Sequence, residues 1–558
     1  MKKILVSLVF CFVALASEAA NFTVNGIYYY TIDKERVGVS VDYDMDPTTY
    51  EITYHYYTGS LTIPSSVTYD EKTYKVSRVY LWGCSELTSI SLPSTLEEIA
   101  EGGFADCSQL TQITLPDSLK KIGRFAFQGC DNIKEITIPT SVREIGQDAF
   151  RSSGIEKLVI KNMAAWCGVK KTGGFINSNT KVFLNEEEIK DLVVPDGVTI
   201  IEPNTFNGFK SIETVYIPES VDSIGDNAFL GCTNITKVAA HDIVSWCGIS
   251  FGNTQILQNG SVISLSNPVC VSKNLFIGNE QLTELNIPEG VEEIGQTAFE
   301  RCLGITKVSF PSTLRKVGAD AFFDCTDIMT VDITSLQDYC SIYFGNPGAN
   351  PFQDYMMNRA FTWMLINGQY LRDMEVLHIP NGTTEVKPNS FAKVDNTGSI
   401  IIPASVNKIG AYAFYTSVHS LYTVYIDGHI DDMGEHAFGN CPYIGTIYVN
   451  DANPDSIPAN AFYNYYHPSN NVTLGVDYNY RNTKLMVPFG AKENYQKTAG
   501  WKLFQNIEEM DFTKVAGIKE DASGIVESYT LDGRQATPST GVIIIERLSD
   551  GSTRKILR

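Results

Sequence analysis

LTSISLPSTLEEIAEGGFADCSQ (Leu87–Gln109), LTQITLPDSLKKIGRFAFQGCDN (Leu110–Asn132) and IKEITIPTSVREIGQDAFRSSG (Ile133–Gly154) are one phrase written three times. Phe104, Phe127 and Phe150 mark it at intervals of 23 residues, and it returns around Phe206, Phe229, Phe299, Phe322, Phe391, Phe414, Phe438 and Phe462. A fixed period in the twenties predicts a solenoid, in which each unit buries its apolar edge by stacking on its neighbours. Such a chain offers an extended surface before it offers a cleft.

Within one phrase, Leu110, Ile113 and Leu115 alternate with polar Gln112 and Thr114, the pattern of a short strand with one face inward. Pro116 follows, where a residue without an N–H no longer interrupts a ladder, and Pro93, Pro139, Pro218, Pro288, Pro311, Pro380 and Pro403 repeat the placement. Leu119 to Ile122 reads as a second short strand, with Gly123 expected to supply a tight bend. Ala126-Phe127 is then expected on a short helical turn, its Phe filling the coil interior.

The phrase Leu-x-x-Ile-x-Ile-Pro, then Val-x-x-Ile-Gly-x-x-Ala-Phe-x-x-Cys, resembles the BspA-like subgroup of leucine-rich repeats found in surface proteins of Gram-negative anaerobes. The resemblance runs from about Asn21 to Met510. Phe22 to Tyr29 with Leu61 to Pro64 is similar to the group's entry cap, and Leu485 to Pro488 with Gly500 to Ile507 to its exit coil. It implies a β-rich solenoid that binds an extracellular protein or cell-surface ligand, by adhesion to host matrix or to other cells. A glycan-binding accessory protein is the alternative, and an enzyme with an unrecognised site a further one.

Met1-Lys2-Lys3, the apolar run Ile4 to Leu15 and the small residues Ala16 to Ala20 have the three regions of a secretory signal, over 1–19. No later apolar run reaches the roughly 18 to 20 residues of a membrane helix. The expected location is therefore outside the cell or on its surface, which the resemblance narrows to the outer-membrane exterior of a Gram-negative bacterium. The formal charge of −21 argues against nucleic acid and anionic lipid, both of which reward Lys and Arg. The expected organisation continues with a cap and first coil over 20–86, the solenoid over 87–510, and a small β module over 511–558.

Cys107, Cys130, Cys232, Cys302, Cys325 and Cys441 each stand three residues after the repeat Phe, and Cys84 three after Leu81. Other coils place Ser153, Phe209, Val394 or Ser417 there, so the column reads as small core filler with reduced thiols, occasional bridges between stacked Cys84, Cys107 and Cys130 being the alternative. No Cys or His spacing suggests a zinc site, and no cofactor is expected. Asp42, Asp44 and Asp46 begin like a calcium loop, but Pro47 replaces the required Gly and Thr53 the required Glu, which favours a solvated turn.

Three excursions break the period, at Ala165-Trp166-Cys167, Ser245-Trp246-Cys247 and Asp338-Tyr339-Cys340. They read as variant coils whose Trp or Tyr plugs the core in place of Phe, with a row of displayed loops as the alternative. His436 occupies a slot filled elsewhere by Phe125, Asp148, Asn227 or Thr297 and is expected to be exposed.

The outward strand slot runs Ser91, Thr114, Thr137, Tyr216, Asn286, Ser309, Asp332, His378, Ile401, Tyr425 and Tyr448. Aromatics gather late in this row and Tyr422 adds to them. Tyr216, His378, Tyr422, Tyr425 and Tyr448 are the candidate binding residues, with the last three tyrosines expected as exposed rings on one side. Good strand formers on an exposed sheet would give the same row. Beyond Met510, the stretch Ile525 to Arg534, then Gly541 to Glu546 and Asp550 to Ile556, reads as three short strands and resembles the sorting module of type IX secretion substrates. Val542 and Ile543 stand where that module has Ile-Tyr.

Overall fold

The computed structural model describes residues 21–253, 255–258, 261–352, 362–374, 376–394, 398–415, 421–464, 475–512, 525–530, 543–548 and 553–557. The expected secretory signal lies outside them. The chain is a β-rich solenoid with few and short helices. It divides into two compact units, one reaching to Ala239 and including Phe251–Ser272, the other made of Ala240–Ser250 and the chain from Lys273 onward.

Each regular coil contributes to three hydrogen-bonded edges. The first is a parallel ladder of strands of three to five residues, such as Glu135–Ile138, Lys157–Ile160 and Lys181–Leu184 in the first unit. In the second unit Val376–His378, Ser399–Ile402, Thr423–Ile426, Thr446–Val449, Lys484–Pro488 and Asn506–Met510 form a six-stranded ladder. The next edge is a ladder of two-residue strands, Glu98–Ile99, Lys121–Ile122 and Glu144–Ile145, whose isoleucines pair in register. The segment Leu110–Leu115 keeps its in–out alternation without joining a strand ladder.

The third edge carries the Phe column. The N–H groups of Gly102, Phe104 and Asp106 donate to the carbonyls of Arg124, Ala126 and Gln128 in the next coil. Every second amide therefore points the same way, as in a strand, although the chain is turning. Left-handed residues at both ends make this possible: Gly102 has φ +64° and Asp106 +62°, and the next coil repeats the device with Phe125 at +54° and Gly129 at +72°. The expected helical turn is thus a pair of tight turns of alternating hand. Gly123 does not have positive φ; its role is close approach, since a Cβ there would lie 2.4 Å from the Glu101 nitrogen.

Phe104, Phe127 and Phe150 stack along the first unit at centroid distances of 5.5 and 5.3 Å, and Phe206 and Phe229 at 5.2 Å. In the second unit Phe299 stacks on Phe322, and Phe391, Phe414, Phe438 and Phe462 form a run at 5.0 to 5.4 Å. All eleven rings are buried. The thiols beside them are also buried and free. Cys130, Cys232, Cys325 and Cys441 donate to the carbonyls of Phe104, Phe206, Phe299 and Phe414, so each thiol ties its coil to the one before. Burial pushes Cys130 and Cys232 up to about 12, which keeps them as thiols.

The three excursions contain the short helices Met163–Cys167, Ile243–Gly248 and Leu336–Cys340, capped by Asn162, Asp242 and Ser335 side chains. Trp166, Trp246 and Tyr339 point inward and are buried. They donate to the carbonyls of Thr205, Ala298 and Ser390, which satisfies the polar edge of each plug. One excursion differs: where its sisters bury Phe251 and Phe344, the first buries Lys171. Its ammonium donates to the carbonyls of Val169 and Trp166 and lies 4.3 Å from the Trp166 ring. Burial lowers its pKa to about 7.

Candidate binding surface

Alternation in the six-stranded ladder sends Leu377, Ile400, Val424 and Ile447 into the coils and their neighbours outward. Tyr425 and Tyr448 do lie on the outward side, with ring centroids 6.1 Å apart. The expectation that they are exposed fails. Tyr425 is only 1% exposed and Tyr448 half-buried, because Phe512 lies against Tyr425 at 6.2 Å and an apolar cluster with Val376, Ile401 and Met510 closes around both. Tyr422 precedes the strand; it is 43% exposed and meets Tyr443 edge-on at 6.3 Å, so it belongs to a different row. Tyr216 and His378 are half-buried in outward slots of separate ladders. The structure does not bring the five candidates together.

His436 is also corrected. It is buried, stacked within 5.1 Å of Tyr412 and within reach of Tyr415 and Tyr463, and burial lowers its pKa. Its slot is a left-handed position shared by Phe125, Asp148, Asn227, Thr297 and Tyr412, which explains the mixed residue types without exposure.

An exposed aromatic group forms instead near the start of the solenoid. Asp42–Met45 and Ile52–His55 pair as an antiparallel hairpin with Tyr43 opposite Tyr54. Period-two alternation puts Tyr43, Tyr54 and, just beyond the strand, Tyr56 on one face, and Asp44 and His55 on the other. Tyr54 lies 6.1 Å from Tyr43 and 5.9 Å from Tyr56, and the Trp82 indole meets both Tyr54 and Tyr56 edge-on at 5.8 and 6.2 Å. Gly83 makes room for this, since at φ +79° its missing Cβ would sit 2.6 Å from the Tyr56 ring. Tyr43 and Tyr56 are 38% and 41% exposed, with Tyr50 standing free at the tip.

The hairpin is held from below. Tyr57 donates to the Ser40 carbonyl and accepts from the Tyr28 amide, and burial raises its pKa to about 12. On the polar face Asp44 bonds His55 at 2.8 Å. Asp46 accepts from the amides of Thr48 and Thr49, so the acidic stretch is a turn, with Asp46 spent on the backbone.

The sequence profile of the BspA type leucine-rich repeat region, in 6 copies, matches residues 51–167, 176–264, 269–346 and 369–480. The chain belongs to this family. Solved structures similar to this BspA-type chain include a leucine-rich repeat protein from Bacteroides ovatus, at 20% identity and TM-score 0.35, covering 77% of this chain and 94% of that one. A leucine rich cell surface protein from Faecalibacterium prausnitzii is similar at 20% identity and TM-score 0.32, with 75% and 95% covered. The pneumococcal vaccine antigen PcpA is similar at 16% identity and TM-score 0.26, with 88% and 99% covered. No curated protein sequence matches the chain.

Among the described residues of this BspA-type chain, His429, Asp431 and Asp455 could reach one cation. His429 Nε2 lies 3.3 and 3.4 Å from those carboxylates and Nδ1 2.8 Å from Asp451, which raises the imidazole pKa. An imidazole hydrogen-bonded among three acids accounts for the arrangement. No described helix is long and apolar enough to cross a membrane.

Sequence reading missed the aromatic hairpin because Tyr43, Tyr54 and Tyr56 fall in the cap, outside the repeat register. A signal was present: Tyr54, Tyr56 and Tyr57 crowd a stretch that alternates, Ile52-Thr53-Tyr54-His55-Tyr56, with no phrase beginning.

Proposed function

We propose that this protein is a secreted or cell-surface binding protein that holds an extracellular protein or cell-surface ligand, as in adhesion to host matrix or to another cell, at the outer-membrane exterior of a Gram-negative bacterium. Membership in a repeat family built for display supports this class, and so does the lack of any recognised catalytic motif in the sequence. The observation that carries the reading is the aromatic face on which exposed Tyr43 and Tyr56 flank half-buried Tyr54 and Trp82. Four rings with hydroxyl or indole tips on a hairpin braced by Tyr57 offer apolar area already ordered for contact, the composition of an interface centre. Half-buried Tyr216 and exposed Tyr422 remain as outlying positions, and His378 stands beside Ile401 in the covered row.

The full chain, immobilised and exposed to matrix proteins and to bacterial surface fractions, should retain a protein partner. The Tyr43→Ala, Tyr54→Ala, Tyr56→Ala variant should lose it while melting at an unchanged temperature. Retention of purified glycans in place of proteins, or full retention by the variant, would contradict the reading.

A further inference from the structure

We infer that the outward face of Val376–His378, Ser399–Ile402 and Thr423–Ile426 is a docking surface, and that its occupant is the chain's own terminal sheet, Ile525–Thr530, Ile543–Leu548 and Thr553–Leu557. At most outward positions elsewhere the side chain meets solvent: Glu135 is exposed and Thr137, Lys307, Ser309, Thr330 and Asp332 are half-buried, with Val159 and Ala239 buried as single positions. Here Val376, Ser399, Ile401, Thr423 and Tyr425 are all buried, although Leu377, Ile400 and Val424 already fill the coil interior. A strand that is buried on both faces has something packed on each.

The sequence of Ser399-Ile400-Ile401-Ile402 agrees with this, placing an apolar residue at an outward slot elsewhere held by Thr137, Ser309 or Asp332. The cover comes from the chain after its last ladder strand, Asn506–Met510. Phe512 turns back onto Tyr425 and is itself buried, with Met510 and Tyr448 packed beside it. Farther on, Ile525–Thr530, Ile543–Leu548 and Thr553–Leu557 form an antiparallel sheet, and the last of these strands brings its Cα atoms within 8 Å of those of Ser399–Ile402. The terminal sheet thus lies beside Ser399–Ile402. Its release uncovers Ile401, Tyr425 and Tyr448 as a second apolar face.

Hydroxyl-radical footprinting of the full chain tests this, with Tyr422 as the exposed internal standard. Tyr425 and Tyr448 should be modified far more slowly than Tyr422. Ile401→Asp places at this slot the residue type that Asp332 already provides in a sister coil; it should raise both rates by about tenfold and speed tryptic removal of the terminal segment, with the melting transition of the repeats kept. Thr137→Asp, on an uncovered face, should change neither. If Ile401→Asp abolishes the melting transition, Ile401→Thr takes its place with the same expectation. Wild-type Tyr425 labelled as fast as Tyr422 would overturn the proposal. So would a folded variant that keeps both rings protected, or protection that disappears on dilution and so belongs to a second copy.

Discussion

Two regions of this chain gather tyrosines on a sheet face, and they use them in opposite ways. At the hairpin of residues 42–55 the rings of Tyr43 and Tyr56 stand open to solvent, braced by Trp82 and by the half-buried Tyr57 beneath. On the coils of residues 376–449, Tyr425 and Tyr448 share an outward row with Ile401, and Phe512 closes it. Identical residue types in strand alternation therefore say nothing of accessibility. What decides it is whether another segment of chain returns to the face, and that information lies dozens of residues away. Exposed rings are available for a partner, whereas covered rings contribute to folding.

The sharpest contrast is with the interior column, where no accessibility is in question. Phe127→Ala should cost roughly 3 to 5 kcal/mol in urea unfolding, the usual range for a truncated buried aromatic, because Phe104 and Phe150 stack on it from both sides. Gln112→Ala, an exposed change in the same coil, should stay within about 0.5 kcal/mol. Equal effects would mean that stacking of the coils is not what holds them.

Lys171 sharpens the comparison from the other side, as a polar residue where sister coils bury Phe251 and Phe344. Its folded-state pKa of about 7 lies below the unfolded value near 10.4, so between those limits the unfolded chain binds more protons. Stability from this group therefore rises with pH from about 7 to about 10, and the penalty is fully present below pH 7. Lys171→Met should stabilise the chain by on the order of 2 to 4 kcal/mol at pH 6 and by little at pH 10.5, as followed by urea unfolding. A gain independent of pH would show that the ammonium is not buried.

A smaller difference separates the two tyrosine groups. Tyr425→Ala removes a ring covered by Phe512 and the Tyr425 hydroxyl bond to Asp427, and should cost about 2 to 3 kcal/mol. Tyr43→Ala should cost under about 0.5 kcal/mol. Thermal melts of the two variants check this, and equal shifts would erase the distinction drawn here.

Much of the fold was legible because the repeat states it many times. The Phe, Pro, Gly and Cys slots each occupy one physical environment, and any single coil that tolerates Ser153 or Val394 in the Cys slot reports that it is filler. The excursions were readable for the same reason, since three copies of one departure, with Trp166, Trp246 and Tyr339 in register, imply one shared plug. What the pattern could not carry was anything that occurs once. His436 reads as exposed when its slot is judged by polarity, yet the slot's requirement is a left-handed backbone, which Asn227 and Tyr412 also meet. The cover over Tyr425 comes from Phe512, outside every repeat, and the hairpin rings sit in a cap that has no sister to be compared with.

The central claim is that the open rings bind and the covered ones do not. Affinity of the full chain for a retained partner, measured by titration calorimetry, puts that directly. The Tyr43→Ala, Tyr54→Ala, Tyr56→Ala variant should lose on the order of 2 to 4 kcal/mol of binding, as expected for an aromatic interface centre, and Tyr425→Ala, at a covered ring, should lose less than about 0.5 kcal/mol. An unchanged affinity in the hairpin variant, or an equal loss in both, would contradict the account.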